Sequence, residues 1–492
     1  MMTLSRLAIS SGDQLLPRRA SVSTLAQLLI EAAERAPESR LICLDLNGRE
    51  EAMTYGELLL RSQRCLGELQ AAGVGVGDRL LLQLPDGAGF FTALWACFLG
   101  GIIPVPVRIT AVIEPGHPGM ARLLDAWRTL DRPPILTDDA TIAEGFRRVA
   151  ATEAGAGMRV LTLTGRADHE PGRIHTGAPA AVALMLLTSG STGGPKAVML
   201  GERNLLSMSA STIQQHGFTA DEVTLNWMPL DHVGALTFLH LMAVDLGCSQ
   251  LHVPTEYVLR APLRWLELSA AHRATISWAP NFAFSLINDQ APALAARPCD
   301  LSRLRFLVNG GEQVGYRTMH RFITLLQQYG LPPGALRPSF GMSETCAGIT
   351  WSSGLRLTDL ADEQVYLSLG RPGPGAALRI TDEQHQTLAE GEIGRLQIKG
   401  PTVTCGYYGD PERTREVLDA DGWFTTGDLG FIRDGELVIT GREKHDIILH
   451  GVNHAAHEIE AMVEEVAGVA AAGSVAFAVR EAARELEVLA VV

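Results

Sequence analysis

Apolar residues along this chain follow two alternating rhythms. In Thr24–Arg35 ("TLAQLLIEAAER") and Thr54–Ala72 they recur every three to four positions, which predicts two amphipathic helices. Arg79–Leu84 ("RLLLQL") has the length and character of a buried strand. Phe90–Leu99 is apolar on every side and runs into "IIPVPV", a buried helix followed by an extended segment. The span Gly87–Val107 carries no charge and has membrane-crossing length, but Gly100, Gly101, Pro104 and Pro106 interrupt it, so a buried helix and strand are expected instead. The alternation continues with helices near Asn204–Gln215 and Leu263–His272, and strands near Gln250–Val253, Thr275–Trp278 and Arg305–Val308. Strands alternating with helices predict an α/β architecture of mixed, mostly parallel sheets flanked by helices.

After about residue 370 the texture changes. "GEIGRLQIKG", "GWFTTGDLGFI" and "GELVITGR" are short strands set off by glycine turns, which predict a β-rich subdomain over 370–441. "DIILHGVNHAAHEIEAMVEEV" then reads as a strand, a turn and an amphipathic helix. A boundary near residue 442 divides a large N-terminal domain, 1–441, from a small α+β domain, 442–492. The last residues, "ELEVLAVV", read as an unfinished strand, so this small domain is expected to be incomplete.

Composition narrows the function. At 492 residues the chain should hold two to four structural units. A net charge of −14 with no basic run argues against binding nucleic acid or anionic membrane. The seven cysteines are scattered, odd in number and never spaced C-x-x-C, which points to reduced thiols in a soluble, cytoplasmic protein without a zinc site. The N-terminus lacks the apolar core of a signal peptide.

Four stretches carry candidate chemistry. "LMLLTSGSTGGPKAVML" (184–200) is rich in glycine and hydroxyls and ends in Lys196. It departs from the Walker A pattern at Pro195 and Ala197, where glycine and a magnesium-binding hydroxyl belong. What remains is a loop whose N–H groups suit an anion, or a plain surface loop. Only three lysines occur, at 196, 399 and 444, among 41 basic residues, so each retained one is informative. "PSFGMSETCAG" (338–348) misses the G-x-S-x-G nucleophile elbow because position 345 is threonine. There Phe340 offers a flat face to a base and Glu344 suits a hard cation such as magnesium; an ordinary capped turn is the alternative. "WFTTGDLG" (423–430) sets Asp428 in a glycine turn, where a carboxylate can take two ribose hydroxyls or merely stabilise the turn. The histidines 445, 450, 454 and 457 lack convergent metal-ligand spacing.

These stretches, with "NGGE" (309–312) and "GREKHDIILHGVNHAAHEIE" (441–460), occur in the order of the adenylate-forming enzymes. From about residue 24 to its end the chain resembles that family: acyl-CoA synthetases, luciferases, fatty acyl-AMP ligases and the adenylation domains of peptide and polyketide assembly lines. The resemblance implies ATP and Mg2+ as cofactors. It places Thr188, Ser189, Gly190, Ser191, Thr192, Gly193 and Lys196 around the β- and γ-phosphates. Gly310, Gly311, Glu312 and Phe340 would enclose adenine. Ser343 would meet the α-phosphate, Glu344 would hold magnesium, and Asp428 and Arg442 would grip the ribose. Lys444 would be the hinge of the small domain. The family's late C-terminal lysine, which assists adenylation, has no counterpart after Lys444, which suggests a fragment of a larger synthase that forms adenylate slowly.

The same resemblance makes "NWMPLDHVGAL" (226–236) the substrate segment, with His232 as gate and Val233, Trp278, Gly341 and Met342 in the pocket. Amino-acid-activating relatives carry an aspartate where Val233 stands. Asp231 is one place early, just before the gate, and successive residues of a strand face opposite ways. A carboxylic acid without an α-amino group is therefore expected. "GVNHAAHEIE" resembles fatty acyl-AMP ligases, yet only 25 residues separate Glu344 from Gly370, too few for their insertion. The implied acceptor is an acyl or peptidyl carrier protein. Free CoA is the alternative acceptor, and a nucleotide- or acyl-binding module without turnover is the alternative function.

Overall fold

The computed structural model describes residues 6–492 apart from 20, 110–112, 115–116, 164–169, 190–194, 361–365, 444–445, 450–451, 465, 467, 470–472 and 482–485. Six parallel strands form the middle of a nine-stranded sheet, in the order Leu336–Met342, Phe306–Asn309, Ile276–Ala279, Val223–Asn226, Ser249–His252 and Arg40–Leu44. Antiparallel strands close it at both ends: Glu50–Thr54 on one side, Ala347–Trp351 and Arg371–Pro372 on the other. A second, four-stranded sheet is parallel throughout. A five-stranded antiparallel sheet joins Ile9–Ser11 to Ala377–Thr381, Gly394–Lys399, Phe424–Arg433 and Glu436–Arg442.

The helices begin where local chemistry dictates. Thr24 caps Leu25–Arg35 by accepting the Gln27 N–H, and Thr54 with Glu57 forms a reciprocal capping box for Tyr55–Ala71. The all-apolar segment is the helix Ala88–Gly100, with eleven of its thirteen residues buried and ten of them in the largest core cluster. It gives way to the strand Ile103–Pro106 at the edge of the four-stranded sheet, where proline costs no ladder hydrogen bond. Among the described residues no helix is long and apolar enough to cross a membrane.

Two expectations about local structure need correction. Residues 229–233 are a turn, not a strand, and Val233 already has helical φ and ψ as the π-helix Gly234–Leu241 begins. The argument that Asp231 faces away by strand alternation therefore fails. Its carboxylate is instead engaged by the main chain, since Oδ2 accepts the Arg108 N–H at 3.1 Å. Second, "DIILHGVNHA" holds two short antiparallel strands, Asp446–Leu449 and Val452–Ala455, before the helix Ala456–Glu464. The terminal "ELEVLAVV" contributes the strand Leu486–Val491, paired with Ala476–Glu481.

Candidate active site

In a parallel sheet the peptide N–H groups and loops at the carboxyl ends of the strands face one crevice, which is where open α/β sheets bind ligands. Four adjacent strands of the nine-stranded sheet end this way here. Asn226 leads to the turn carrying His232, Ile276–Ala279 carries Trp278, Asn309 leads to Gly310–Glu312, and Met342 leads to Ser343–Thr345. Segments up to about 120 residues apart in sequence, from Asn226 to Thr345, are thereby brought together by topology alone.

The Gly310–Glu312 turn is built to lie flat. Gly311 has φ +98°, a conformation that side chains rarely adopt. The Gly310 carbonyl accepts the Trp278 indole N–H at 3.0 Å, and Glu312 accepts the Phe282 N–H at 2.5 Å. Opposite, the ladder between Leu336–Met342 and Ala347–Trp351 is bulged between Phe340 and Gly341. A Cβ on Gly341 would lie 2.0 Å from the Ala347 carbonyl, so only glycine lets the two strands approach there. Behind this bulge, Cys346 (φ 60°) and Ala347 (φ 133°) hold unfavourable backbone conformations directly after Glu344. Thr345 pins the turn by accepting the Met342 N–H at 3.1 Å.

Gly311, Glu312, Phe340 and Gly341 line a cleft of about 770 Å³ together with Asp428 and Arg442 from the five-stranded sheet. Asp428 stands not in a glycine turn, as expected, but inside the strand Phe424–Arg433, opposite Arg442, whose Nε donates to Asp428 Oδ1 at 2.8 Å. Asp428 is only 2% exposed, so its charge reaches the cleft through a narrow opening. Ala456, Glu460 and Phe477 of the C-terminal segment line the same cleft.

Beside it lies a mostly apolar chamber wall. The His232 ring meets the Trp278 ring edge-on at 6.3 Å, and Trp278 meets Phe238 at 5.4 Å. His232 Nδ1 accepts the Gly234 N–H at 3.1 Å, and burial holds the imidazole below its usual pKa. The ring is therefore neutral near pH 7, with its proton on Nε2. Val233 is buried, and its carbonyl and that of Cys346 both lie within reach of the Thr237 hydroxyl. One threonine on the π-helix thus ties the chamber wall to the Glu344 turn.

Lys196 and Glu344 meet on a residue the sequence reading missed. The Tyr407 hydroxyl donates to Glu344 Oε1 at 2.9 Å, and Lys196 Nζ sits 5.0 Å from the centre of the Tyr407 ring. Burial and the neighbouring carboxylate push the Tyr407 hydroxyl well above its ordinary pKa, so it remains a donor. In sequence Tyr407 was one of two adjacent tyrosines in "GYYGDP", with nothing to separate it from a surface turn. Thr188 pairs with Lys196 across the hairpin Val182–Ser189/Pro195–Gly201. A strand–loop–strand hairpin also differs from the strand–loop–helix of a P-loop. Gly190, Ser191, Thr192, Gly193 and Lys444 lie outside the described residues, as does the side chain of Ser189.

A crevice of this shape, with an aromatic face, a carboxylate–arginine pair, a buried carboxylate and a lysine, suits a nucleoside phosphate beside an apolar acid. Comparison with known proteins agrees. Residues 29–408 match the AMP-binding enzyme family. The McyG A-PCP structure complexed with phenylalanyl-adenylate is 44% identical, with a TM-score of 0.93, covering 98% of this chain and 86% of that one. The adenylation domain of a keto acid-selecting nonribosomal peptide synthetase module, bound to keto acyl adenylate, is 35% identical with a TM-score of 0.87, covering 98% and 90%. Aspulvinone E synthetase of Aspergillus terreus is 34% identical over 462 residues, 90% of this chain and 48% of its own length. The chain spans about half the length of the curated relatives it matches. It belongs to the AMP-binding enzyme family, the adenylate-forming enzymes, and its likeness there is to the adenylation domains of assembly-line synthetases.

Proposed function

We propose that this chain activates a carboxylic acid without an α-amino group as its acyl-AMP and passes the acyl group to the phosphopantetheine thiol of a carrier protein. A carboxylate oxygen attacks the α-phosphorus of ATP, the bond to the bridging oxygen breaks, and pyrophosphate leaves. The thiol then attacks the acyl carbonyl and AMP departs with the electron pair. Such phosphorus chemistry asks the protein for position and charge more than for bond making.

The carrying observation is the single cleft that gathers Gly311, Glu312, Phe340, Asp428 and Arg442 beside the His232–Trp278 wall. In this reading Gly310–Glu312 and Phe340 enclose adenine, Asp428 and Arg442 hold the ribose hydroxyls, and Ser343 meets the α-phosphate. Thr188–Gly193 and Lys196 take the β- and γ-phosphates. Glu344 fits Mg2+, which favours few protein carboxylates and keeps water and phosphate oxygens as its other ligands. Tyr407 occupies Oε1, and Oε2 is the oxygen offered to a cation. Bound there, the ion supplies positive charge against the phosphates. Lys444 is read as the hinge that turns the small domain, 442–492, between the two half-reactions.

Val233 supports an acid without an ammonium group, because a buried valine cannot compensate its desolvation. The keto acyl adenylate of one similar structure is such an acid, whereas phenylalanyl-adenylate in another is not. Carrier transfer draws support from the carrier-bearing and multidomain relatives, which also suggest that this chain works within a larger synthase. ATP–pyrophosphate exchange over fatty, aryl, hydroxy and keto acids tests the reading. Acid-dependent exchange supports it, and its absence with every acid contradicts it.

A further inference from the structure

Tyr407 enters the assignment above only as the donor to one oxygen of Glu344, yet it lies between Glu344 and Lys196, two residues that carry that assignment. It is 4% exposed and is stitched in place by main-chain bonds from every side. Gly406 accepts the Met199 N–H at 3.0 Å, the Ala197 carbonyl accepts the Tyr408 N–H at 2.9 Å, and the Glu344 carbonyl accepts the Thr404 N–H at 2.8 Å. Its own N–H donates to Thr414 Oγ1 at 3.0 Å. The segment 404–408 is therefore a third strand-like strip laid between the Lys196 strand and the Glu344 turn. A ring fixed this firmly presents two different surfaces. Its hydroxyl fixes one carboxylate oxygen of Glu344, and its face receives the Lys196 ammonium.

We propose that Tyr407 is the positioning residue of the adenylation step: its hydroxyl aims the second carboxylate oxygen of Glu344 at the magnesium site, and its ring sets the height of Lys196 above the phosphates. This rests on the adenylation reading given above. The two functions separate chemically. Tyr407→Phe keeps the ring and removes only the hydroxyl, so Glu344 rotates freely while Lys196 keeps its seat. Tyr407→Leu removes both. A cation over an aromatic face is held by the ring quadrupole, which leucine lacks.

The test uses the whole chain and two readouts. The first is calorimetric affinity for a non-hydrolysable ATP analogue, with and without Mg2+. Tyr407→Phe should lower the gain in affinity given by Mg2+ at least fivefold and leave the magnesium-free affinity within twofold of wild type. The second is pyrophosphate exchange. Tyr407→Phe should raise the half-saturating Mg2+ concentration about tenfold. Tyr407→Leu should lower kcat about tenfold further, with KM for the acid within twofold. In a Lys196→Ala background, Tyr407→Leu should lower kcat less than threefold beyond Tyr407→Phe, because the seat that the ring provides is already empty. A Phe variant with wild-type magnesium dependence in both readouts overturns the proposal, as does full additivity of Tyr407→Leu with Lys196→Ala. If Tyr407→Leu fails to fold, the Phe variant alone decides. Should wild type bind magnesium nucleotide yet exchange with no acid, the adenylation reading falls and the calorimetric arm still judges Tyr407. If wild type shows no magnesium-dependent binding, both fall.

Discussion

The cleft proposed for the nucleotide and the wall proposed for the acyl group share a border at Gly310–Gly311 but are built in different ways. The cleft is assembled from short contiguous stretches of two to five residues: Gly310–Glu312, Phe340–Glu344 and, within the strand Phe424–Arg433, Gly427–Asp428. The chamber wall is assembled from His232, Val233, Phe238 and Trp278, whose placement depends on a π-helix and on packing across the sheet. A site made of local turns can be kept while its neighbour varies. The two regions should therefore respond to substitution in separable ways.

The largest expected effect is in the cleft. Glu344→Gln preserves the shape and the Tyr407 hydrogen bond but removes the negative charge that the proposed mechanism assigns to magnesium. Exchange should fall about 100-fold or more, roughly 3 kcal/mol of transition-state stabilisation, with the circular dichroism spectrum unchanged. Activity within threefold of wild type would take Glu344 out of the mechanism. Next, Asp428→Asn breaks the ion pair with Arg442 and weakens the hold on the ribose proposed for this pair. KM for ATP should rise about tenfold while KM for the acid stays within twofold, in line with the loss of one charged hydrogen bond. Parallel rises in both would mean that cleft and chamber are not separable.

On the chamber side, a Cβ at Gly234 would lie 3.0 Å from the Trp278 ring, which its bond to the Gly310 carbonyl holds in place. Gly234→Ala should shift the order of preferred acids and raise KM for the best one about threefold to tenfold, leaving KM for ATP alone. An unchanged preference order would show that Trp278 does not border the acid.

That difference also explains what could be read from the sequence. Loops at strand ends need particular residues at adjacent positions, so "NGGE" and "SFGMSET" announce themselves, whereas the glycines of "TGDLG" read as a turn although they lie inside the strand Phe424–Arg433. The parallel sheet was legible for the same reason, since buried strands such as Phe306–Asn309 are short apolar runs between glycines and polar turns. Extended geometry at 229–233 was a misreading because "PLDHVGAL" has no period that separates a turn entering a π-helix from a buried strand. Tyr407 was missed because its meaning comes from Lys196 and Glu344, which lie 211 and 63 positions earlier in the chain.

The smallest effect lies away from both regions. Glu202 is buried at the start of the helix Glu202–His216, where it accepts the Leu25 N–H at 2.7 Å. Burial pushes its carboxyl up to about 7 from 4.5. Between those values the folded chain keeps a proton that the unfolded chain has lost, so stability falls as pH rises from about 4.5 to about 7 and is level above. Glu202→Gln keeps the hydrogen bond and removes that slope. Its melting temperature should exceed wild type at pH 8 and match it at pH 4.5. An identical slope in both proteins would reassign the pH dependence elsewhere.

The choice of acid bears most directly on the account. Wild-type exchange can be measured with matched pairs that share one carbon skeleton and differ only at the α-position: amino, hydroxy, keto and unsubstituted acids. With Val233 where an ammonium partner would have to stand, kcat/KM for the best acid lacking the amino group should exceed that of its amino counterpart at least tenfold, about 1.4 kcal/mol of discrimination. An α-amino acid giving the highest kcat/KM in the panel would contradict it.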